Sequence, residues 1–264
     1  TLDPFATGLL VVLIGEATKI ARFLLEGEKT YEALAALGHE TDTGDHTGTA
    51  LPPGPAVSKS RDEWQAITGP FTGRIRQTPP AYSAVKVKGK PLYEYARKGQ
   101  EVEVKSREVQ VKEFTILEAT PAHLRCRIVC SGGTYIRVLA ADLARAGGGA
   151  AHLKELRRLG SSSFRVEKAA TLESALALAT EELPLRPLAE GLGQLPAVDC
   201  DEAQAEKLRQ GNLAVFDSLK SQLEKPGYFW VKEKGKPVAV CNHHPMLVPF
   251  CSIERVFDPR LVEP

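Results

Sequence analysis

Apolar and polar positions alternate along this chain in short blocks, and the period of each block predicts its element. Residues 29–38 (KTYEALAALG) place Tyr31, Ala33, Ala35 and Leu37 on one face at every second position, a strand signature. Residues 101–118 and 122–131 alternate in the same way and predict an antiparallel pair turning at Thr120-Pro121. In the second of these, Leu124, Cys126, Ile128 and Cys130 share a face opposite Arg125, Arg127 and Val129. The spacing becomes helical in residues 16–25, where Ala17, Ile20, Ala21, Leu24 and Leu25 form a stripe. It is helical again in residues 135–145, with Ile136, Leu139, Ala140 and Leu143 inward. The unbroken apolar run 9–14 predicts a buried strand closed by Gly15.

Punctuation residues mark the joints. Ser60-Arg-Asp-Glu63 is a capping box that opens a short helix ending near Gly69-Pro70. Pro79-Pro80 forces an extended segment. Lys86-Val-Lys-Gly-Lys90 reads as a basic hairpin tip, and Pro91 opens a short helix, LYEYARKG, stopped by Gly99. Residues 41–48 (TDTGDHTG) read as a solvated polar loop, because the spaced acidic ligands of a calcium loop are missing. Residues 152–159 read as a short basic segment with Leu153 and Leu156 inward, a core-packing turn with a solvated face. From 172 to 201 the chain is acidic, rich in Leu and Ala, and broken by Pro184, Pro187 and Pro196, which predicts a helix and a linker. Residues 202–211 look helical, 228–240 form a hairpin turning at Lys234-Gly235, and 252–257 a closing strand. The expected organisation is a large α+β domain over 1–193 and a small, mostly β module over 194–264.

Composition narrows the class. With 43% hydrophobic and 25% charged residues over 264 positions, the chain is a soluble globular protein. It has no apolar run near the ~20 residues of a membrane span and no signal-peptide layout, so no membrane is expected and the cytoplasm is the default. The net charge of +1 conceals an asymmetry. Residues 1–50 hold three Lys/Arg against eight Asp/Glu, whereas residues 72–112 hold ten against four. That basic block is either an ordinary solvated loop or a contact for a polyanion. Five cysteines without a CxxC pair point to free thiols in a reducing compartment. Cys241, His243, His244 and Cys251 fit no common zinc spacing, and no metal is expected.

Two residues stand out chemically. Asp3 before Pro4 suits a plain N-cap or turn, yet an acid on a tight turn beside the core is also held rigidly toward a cleft. Arg137 falls in a first helical turn, where the helix dipole is unfavourable for a cation. A carboxylate or phosphate partner nearby explains it most economically.

Five stretches together resemble the TruB family of tRNA pseudouridine synthases: TLDPFATGLLVVLIGEATK, KTYEALAALGHETDTGDHTG, IRQTPPAYSAVKVKGKPLYEYARKG, SGGTYIRVLAADLA and HLKELRRL. They occur in family order and cover most of residues 1–160. The residues after about 194 resemble a PUA-type RNA-binding module. The lysine-rich tip resembles the bacterial branch rather than the guide-RNA-dependent relatives. The resemblance implies a pseudouridine synthase fold, a mixed and mainly antiparallel sheet flanked by helices, with a mobile RNA-gripping thumb within residues 77–100. It implies that Asp3 is the catalytic carboxylate. Tyr31 would stack on the target base and help proton transfer, and Arg137 would pair with Asp3. Tyr135 and Leu156 would line the uridine pocket, Lys19 would contribute charge, and Lys86, Lys88 and Lys90 would grip RNA. The implied substrate is uridine 55 in the T-stem-loop of tRNA, flipped from its stack and turned over by a cytoplasmic monomer without a cofactor. The family pattern also has a strand-forming segment and a Gly-His-x-Gly loop directly before the position of Thr1, with no counterpart in these 264 residues.

The chemistry agrees with the residue types. Exchanging a C–N for a C–C glycosidic bond needs no redox step, and the sequence has no Gly-rich phosphate loop and no Cys/His dyad. A lone carboxylate must stay ionised, which an adjacent guanidinium favours. A protein that binds RNA without turnover is the competing class, suggested by the basic block. A sugar hydrolase is disfavoured, because its second carboxylate has no candidate.

Overall fold

The computed structural model describes residues 2–261; Thr1 of the TLDPF motif and the last three residues of the expected C-terminal module lie outside the described residues. The chain divides into two compact units, one of Thr1–Leu10, Glu26–Ser161 and Arg165–Glu167, the other of Val11–Leu25, Ser162–Phe164 and Lys168–Pro264. Among the described residues no helix is long and apolar enough to cross a membrane.

The first unit is built on a mixed sheet. Its strands are β1 (Thr7–Gly8), β2 (Lys29–Leu37), β3 (Gly73–Gln77), β6 (Arg107–Ala119), β7 (His123–Cys130) and β8 (Ala151–Ser161). A separate two-stranded hairpin pairs β4 (Lys86–Val87) with β5 (Lys90–Pro91). The sheet runs β1-β8-β2-β7-β6-β3, antiparallel throughout except for the parallel pair of β1 and β8. The period-two pattern of residues 29–38 and 122–131 therefore reports real strands, paired with each other. Helix α1 (Arg61–Ile67) starts at the predicted capping box: Ser60 accepts from the Glu63 backbone and Glu63 reaches back to Ser60. Helix α2 (Leu92–Ala96) follows the hairpin, and helix α3 (Ile136–Ala146) lays Ile136, Leu139, Ala140 and Leu143 into the core. Trp64 of α1 is fully buried against the end of α3, where a Cβ on Gly147 would stand 2.2 Å from the indole ring. Only glycine fits that close approach.

Two predicted elements differ. Residues 152–159 are the middle of β8, an interior strand rather than a turn. Two register shifts against β2, at Thr30/Tyr31 and Leu34/Ala35, break the in-and-out alternation and hide the strand from a periodicity reading. Residues 9–14 are not a strand. Pairing with β8 ends at Gly8, and Leu10, Val12 and Ile14 are exposed.

The second unit carries a four-stranded sheet, β9 (Ala197–Asp199), β10 (Gly227–Glu233), β11 (Lys236–His243) and β12 (Cys251–Val256), in that order. The predicted hairpin turns at Lys234 and Gly235, both with positive φ, which matches strand twist. Helices α5 (Glu202–Arg209) and α6 (Val215–Leu219), with α4 (Leu188–Gly191) preceding them, supply further core. This unit does not begin at 194. Ile20, Phe23 and Leu24 share one buried cluster with Leu188, Leu192, Trp230, Val240 and Phe257, so an early segment completes a late core. A linear boundary cannot express that. Cys241 and Cys251 lie inside the second unit's core as free thiols, and burial pushes Cys251 up to about 11.

Candidate active site

Asp3 stands on a tight turn closed by the Ala6 amide donating to the Asp3 carbonyl at 2.9 Å. Its carboxylate caps no helix. The turn is fastened to the sheet by β1, where Gly8 at φ +94° approaches β8 so closely that a Cβ would meet the Arg158 carbonyl oxygen at 2.3 Å. Phe5 in the same turn packs edge-on against His46, 5.2 Å between ring centres.

Arg137 enters from the first turn of α3 and is 4% exposed. Its Nε donates to Asp3 Oδ2 at 2.8 Å and its Nη2 to Asp3 Oδ1 at 3.3 Å, a two-pronged pairing. Nη1 donates to the Thr43 carbonyl at 2.6 Å, and Nη2 also to the Tyr82 carbonyl at 3.0 Å. Asp45 Oδ2 lies 3.6 Å from Nη1. The cation at an unfavourable helix end is thus met by two carboxylates and two carbonyls, as its position in the sequence demanded.

Residues 41–48 were expected to be solvated, but Thr41 and Asp45 are buried. Asp45 Oδ1 accepts from the Thr47 amide at 3.0 Å and from the hydroxyls of Thr43 and Thr47. Backbone bonds between Leu153 and both Gly44 and His46 fix the loop on β8. Asp45 is therefore part of the site, and the only sequence signal for it was an acid among hydroxyl residues.

Tyr31 is half-buried on β2. Burial raises its phenol above the ordinary tyrosine range, with Cys130 and Asp3 pushing the same way and Arg158 opposing. The ring thus keeps its proton at neutral pH and lies within electrostatic reach of Asp3. Register explains the proximity, because Gly8 and Tyr31 are the two neighbours of Arg158 across β8. Tyr135 is the residue before α3. The Gln77 side chain accepts from its amide at 2.8 Å and donates to its carbonyl at 3.1 Å, while the Arg107 guanidinium sits 5.0 Å from its ring centre. Gln77 and Arg107 were missed in the sequence, where Gln77 looked like the start of an extended segment and Arg107 like part of the basic block.

Leu156 is buried opposite Ala33 and borders a cavity of about 470 Å³ also lined by Phe5, Thr7 and His46. Asp3, Tyr31 and Arg137 do not line that cavity. Lys19 belongs to the second unit, where it donates to Glu16 at 2.7 Å and to the Val256 carbonyl at 2.8 Å. Lys86, Lys88 and Lys90 are exposed on the hairpin, with no ion pair among the described residues. Tyr82 and Ser83, between β3 and that hairpin, are held in the unit through the Arg137 bond and burial respectively.

Residues 1–136 match the family described as TruB family pseudouridylate synthase, N-terminal domain. The chain belongs to the TruB family. The match holds Asp3, Tyr31, Asp45 and Tyr135 and ends one residue before Arg137. A tRNA pseudouridine synthase B of Aromatoleum aromaticum is 46% identical over 215 residues, 81% of this chain and 70% of the relative. One from Bacillus cytotoxicus is 38% identical over 256 residues, 93% of this chain and 82% of the relative. The structure of a Cbf5-Nop10-Gar1 complex superposes with a TM-score of 0.71 at 22% identity, covering 99% of this chain and 76% of that one. A Nop10-Cbf5 complex from an archaeal box H/ACA particle gives 0.66 at 22% identity, covering 100% and 77%. The TruB family member thus has the α+β pseudouridine synthase fold and is an enzyme of that class.

Two outcomes follow from this geometry. Asp45→Asn keeps the loop's shape but removes one of the two negative charges on Arg137. Pseudouridine formation should slow roughly tenfold, mainly in kcat, because Arg137 then aims Asp3 less firmly. The second concerns Lys29, whose buried ammonium is lowered from 10.5 to about 8, first by desolvation and then by Arg158. Below about pH 8 the folded chain carries the full cost of that charge. As pH rises toward 10.5 the unfolded chain holds the extra proton, so this contribution to stability improves. Urea unfolding of the parent chain and of Lys29→Met should therefore show the difference moving in the parent's favour by up to about 3 kcal/mol across that window.

Proposed function

We propose that this chain converts uridine 55 in the T-stem-loop of tRNA to pseudouridine, acting as a cofactor-free monomer in the cytoplasm. The observation that carries the reading is the two-pronged pairing of buried Arg137 with Asp3, whose side chain remains 30% exposed. A carboxylate held in this way by a buried cation can face a substrate without rotating. The names of the relatives, tRNA pseudouridine synthase B, support the choice of substrate.

In this reading the target base leaves its stack, at a cost of a few kcal/mol, and enters beside Asp3. Stacking on the Tyr31 ring returns about 1–3 kcal/mol. The N1–C1′ bond breaks, the uracil turns, and C5 bonds to C1′. The proton on C5 leaves and N1 gains one, so atoms and electrons balance. Asp3 is the group that acts directly, as nucleophile at C6 or C1′ or as base toward the sugar. Protonated Tyr31 is placed to stack and to exchange a proton, and Tyr135 and Leu156 bound the uracil. Lys86, Lys88 and Lys90, on an exposed hairpin within residues 77–100, track phosphates. The four-stranded sheet of the second unit acts as the core of a PUA-like RNA-binding module.

Asp3→Asn should abolish tritium release from uridine labelled at C5 in tRNA, while tRNA binding measured by filter retention changes less than about threefold. Undiminished release would exclude the role given to Asp3, and strong binding without any release by the parent chain would favour the RNA-binding reading. Replacing Lys86, Lys88 and Lys90 together with Glu should weaken tRNA binding and lower the slope of log K against log salt by about 2.

A further inference from the structure

Arg158 is a second buried cation beside the site, 4% exposed, to which the reading above gives no role. It occupies the middle of β8 between Gly8 of β1 and Tyr31 of β2. Directly opposed residues on antiparallel strands carry their side chains on one face, with Cβ atoms about 4.5–5.5 Å apart. Arg158 and Tyr31 are such a pair. On its other side Arg158 holds the Asp3 segment twice: its Nε donates to the Leu9 carbonyl at 2.7 Å, and its own carbonyl accepts from the Leu9 amide at 2.8 Å. A guanidinium in this setting must satisfy its donors locally, because water cannot reach them. Gly8, at its close approach to Arg158, leaves the segment no room to drift.

We propose that Arg158 is a positioning residue that locks Tyr31 to the strand segment carrying Asp3, so that ring and carboxylate move as one body. The inference rests on the reading of Tyr31 as the ring stacked on the target base. The charge of Arg158 and a side-chain hydrogen bond from it favour the ionised phenol. Cys130 on β7 and Asp3 on the turn act in the opposite sense, and Lys29, two residues along β2, faces Arg158 and Cys130. Arg158 therefore also offsets part of the burial that keeps the phenol protonated, which makes its proton easier to exchange.

The test uses the full chain with Arg158→Met and Arg158→Lys, each made alone and together with Tyr31→Phe. Tyrosinate absorbance, taken as the difference between each chain and its Tyr31→Phe counterpart, isolates the ionisation of Tyr31. Arg158→Met should move it to higher pH, and Arg158→Lys should restore part of the shift. In single-turnover assays on T-stem-loop RNA, Arg158→Met should slow pseudouridine formation roughly tenfold when Tyr31 is present and less than about twofold when Tyr31→Phe is already in place. An unmoved Tyr31 titration in both Arg158 variants, or equal slowing in both backgrounds, would overturn the proposal. If the parent chain makes no pseudouridine, the absorbance titration alone decides on Arg158, and the failure then belongs to the catalytic reading.

Discussion

The site depends on one buried positive charge. A guanidinium taken out of water costs several kcal/mol unless its donors are met, and Arg137 draws its partners from three separate parts of the first unit. Asp3 comes from the opening turn, Thr43 and Asp45 from a loop, Tyr82 from the approach to the hairpin, and the arginine itself from a helix. None of these segments has much reason to adopt its position alone. The ion pair is therefore a folding constraint in its own right, since removing either partner strands the other.

The sheet supplies what the ion pair cannot, a fixed distance between Asp3 and Tyr31. Strands β1 and β2 both neighbour β8, so the turn and the ring are separated by one strand on each side of Arg158. Strand spacing is set by backbone hydrogen bonds and varies little, which makes it a better ruler than any side chain. Gly8 is what allows β1 to use that ruler. At φ +94°, with the Arg158 carbonyl in the space where a Cβ would stand, any other residue would hold the turn off the sheet.

Much of this was legible in the residues, and the part that was not has a physical pattern. Strand β2, the β6–β7 pair, helix α3 and the capping box before α1 each announce themselves through local periodicity or a local hydrogen-bonding motif. Arg137 also announced itself, because a cation in a first turn needs a partner. Strand β8 did not, since two register shifts erase its alternation and leave Lys154 and Glu155 exposed side by side. Asp45 was hidden for another reason. Its burial depends on Arg137, 92 positions away in the chain, and nothing within the loop distinguishes an acid that faces water from one that faces a distant cation. Residues 9–14 failed in the opposite direction, because an apolar run marks a wish for burial and not the partner that provides it. The same is true of Ile20, Phe23 and Leu24, which complete a core built mostly from residues beyond 187.

The two arginines divide the electrostatic work in a way that neither could do alone. Burial favours the neutral form of the Tyr31 phenol. Asp3 is held by direct pairing with Arg137, while Tyr31 keeps its proton against the milder pull of Arg158. The arrangement sets a carboxylate paired with a guanidinium near a phenol that keeps its proton, on segments that flank β8 on its two sides. The constraint also explains why the cations are arginines. Arg137 holds a carboxylate and two backbone carbonyls at the same time, and Arg158 a phenol and a backbone carbonyl; a lysine ammonium has no planar fork with which to fix several directions.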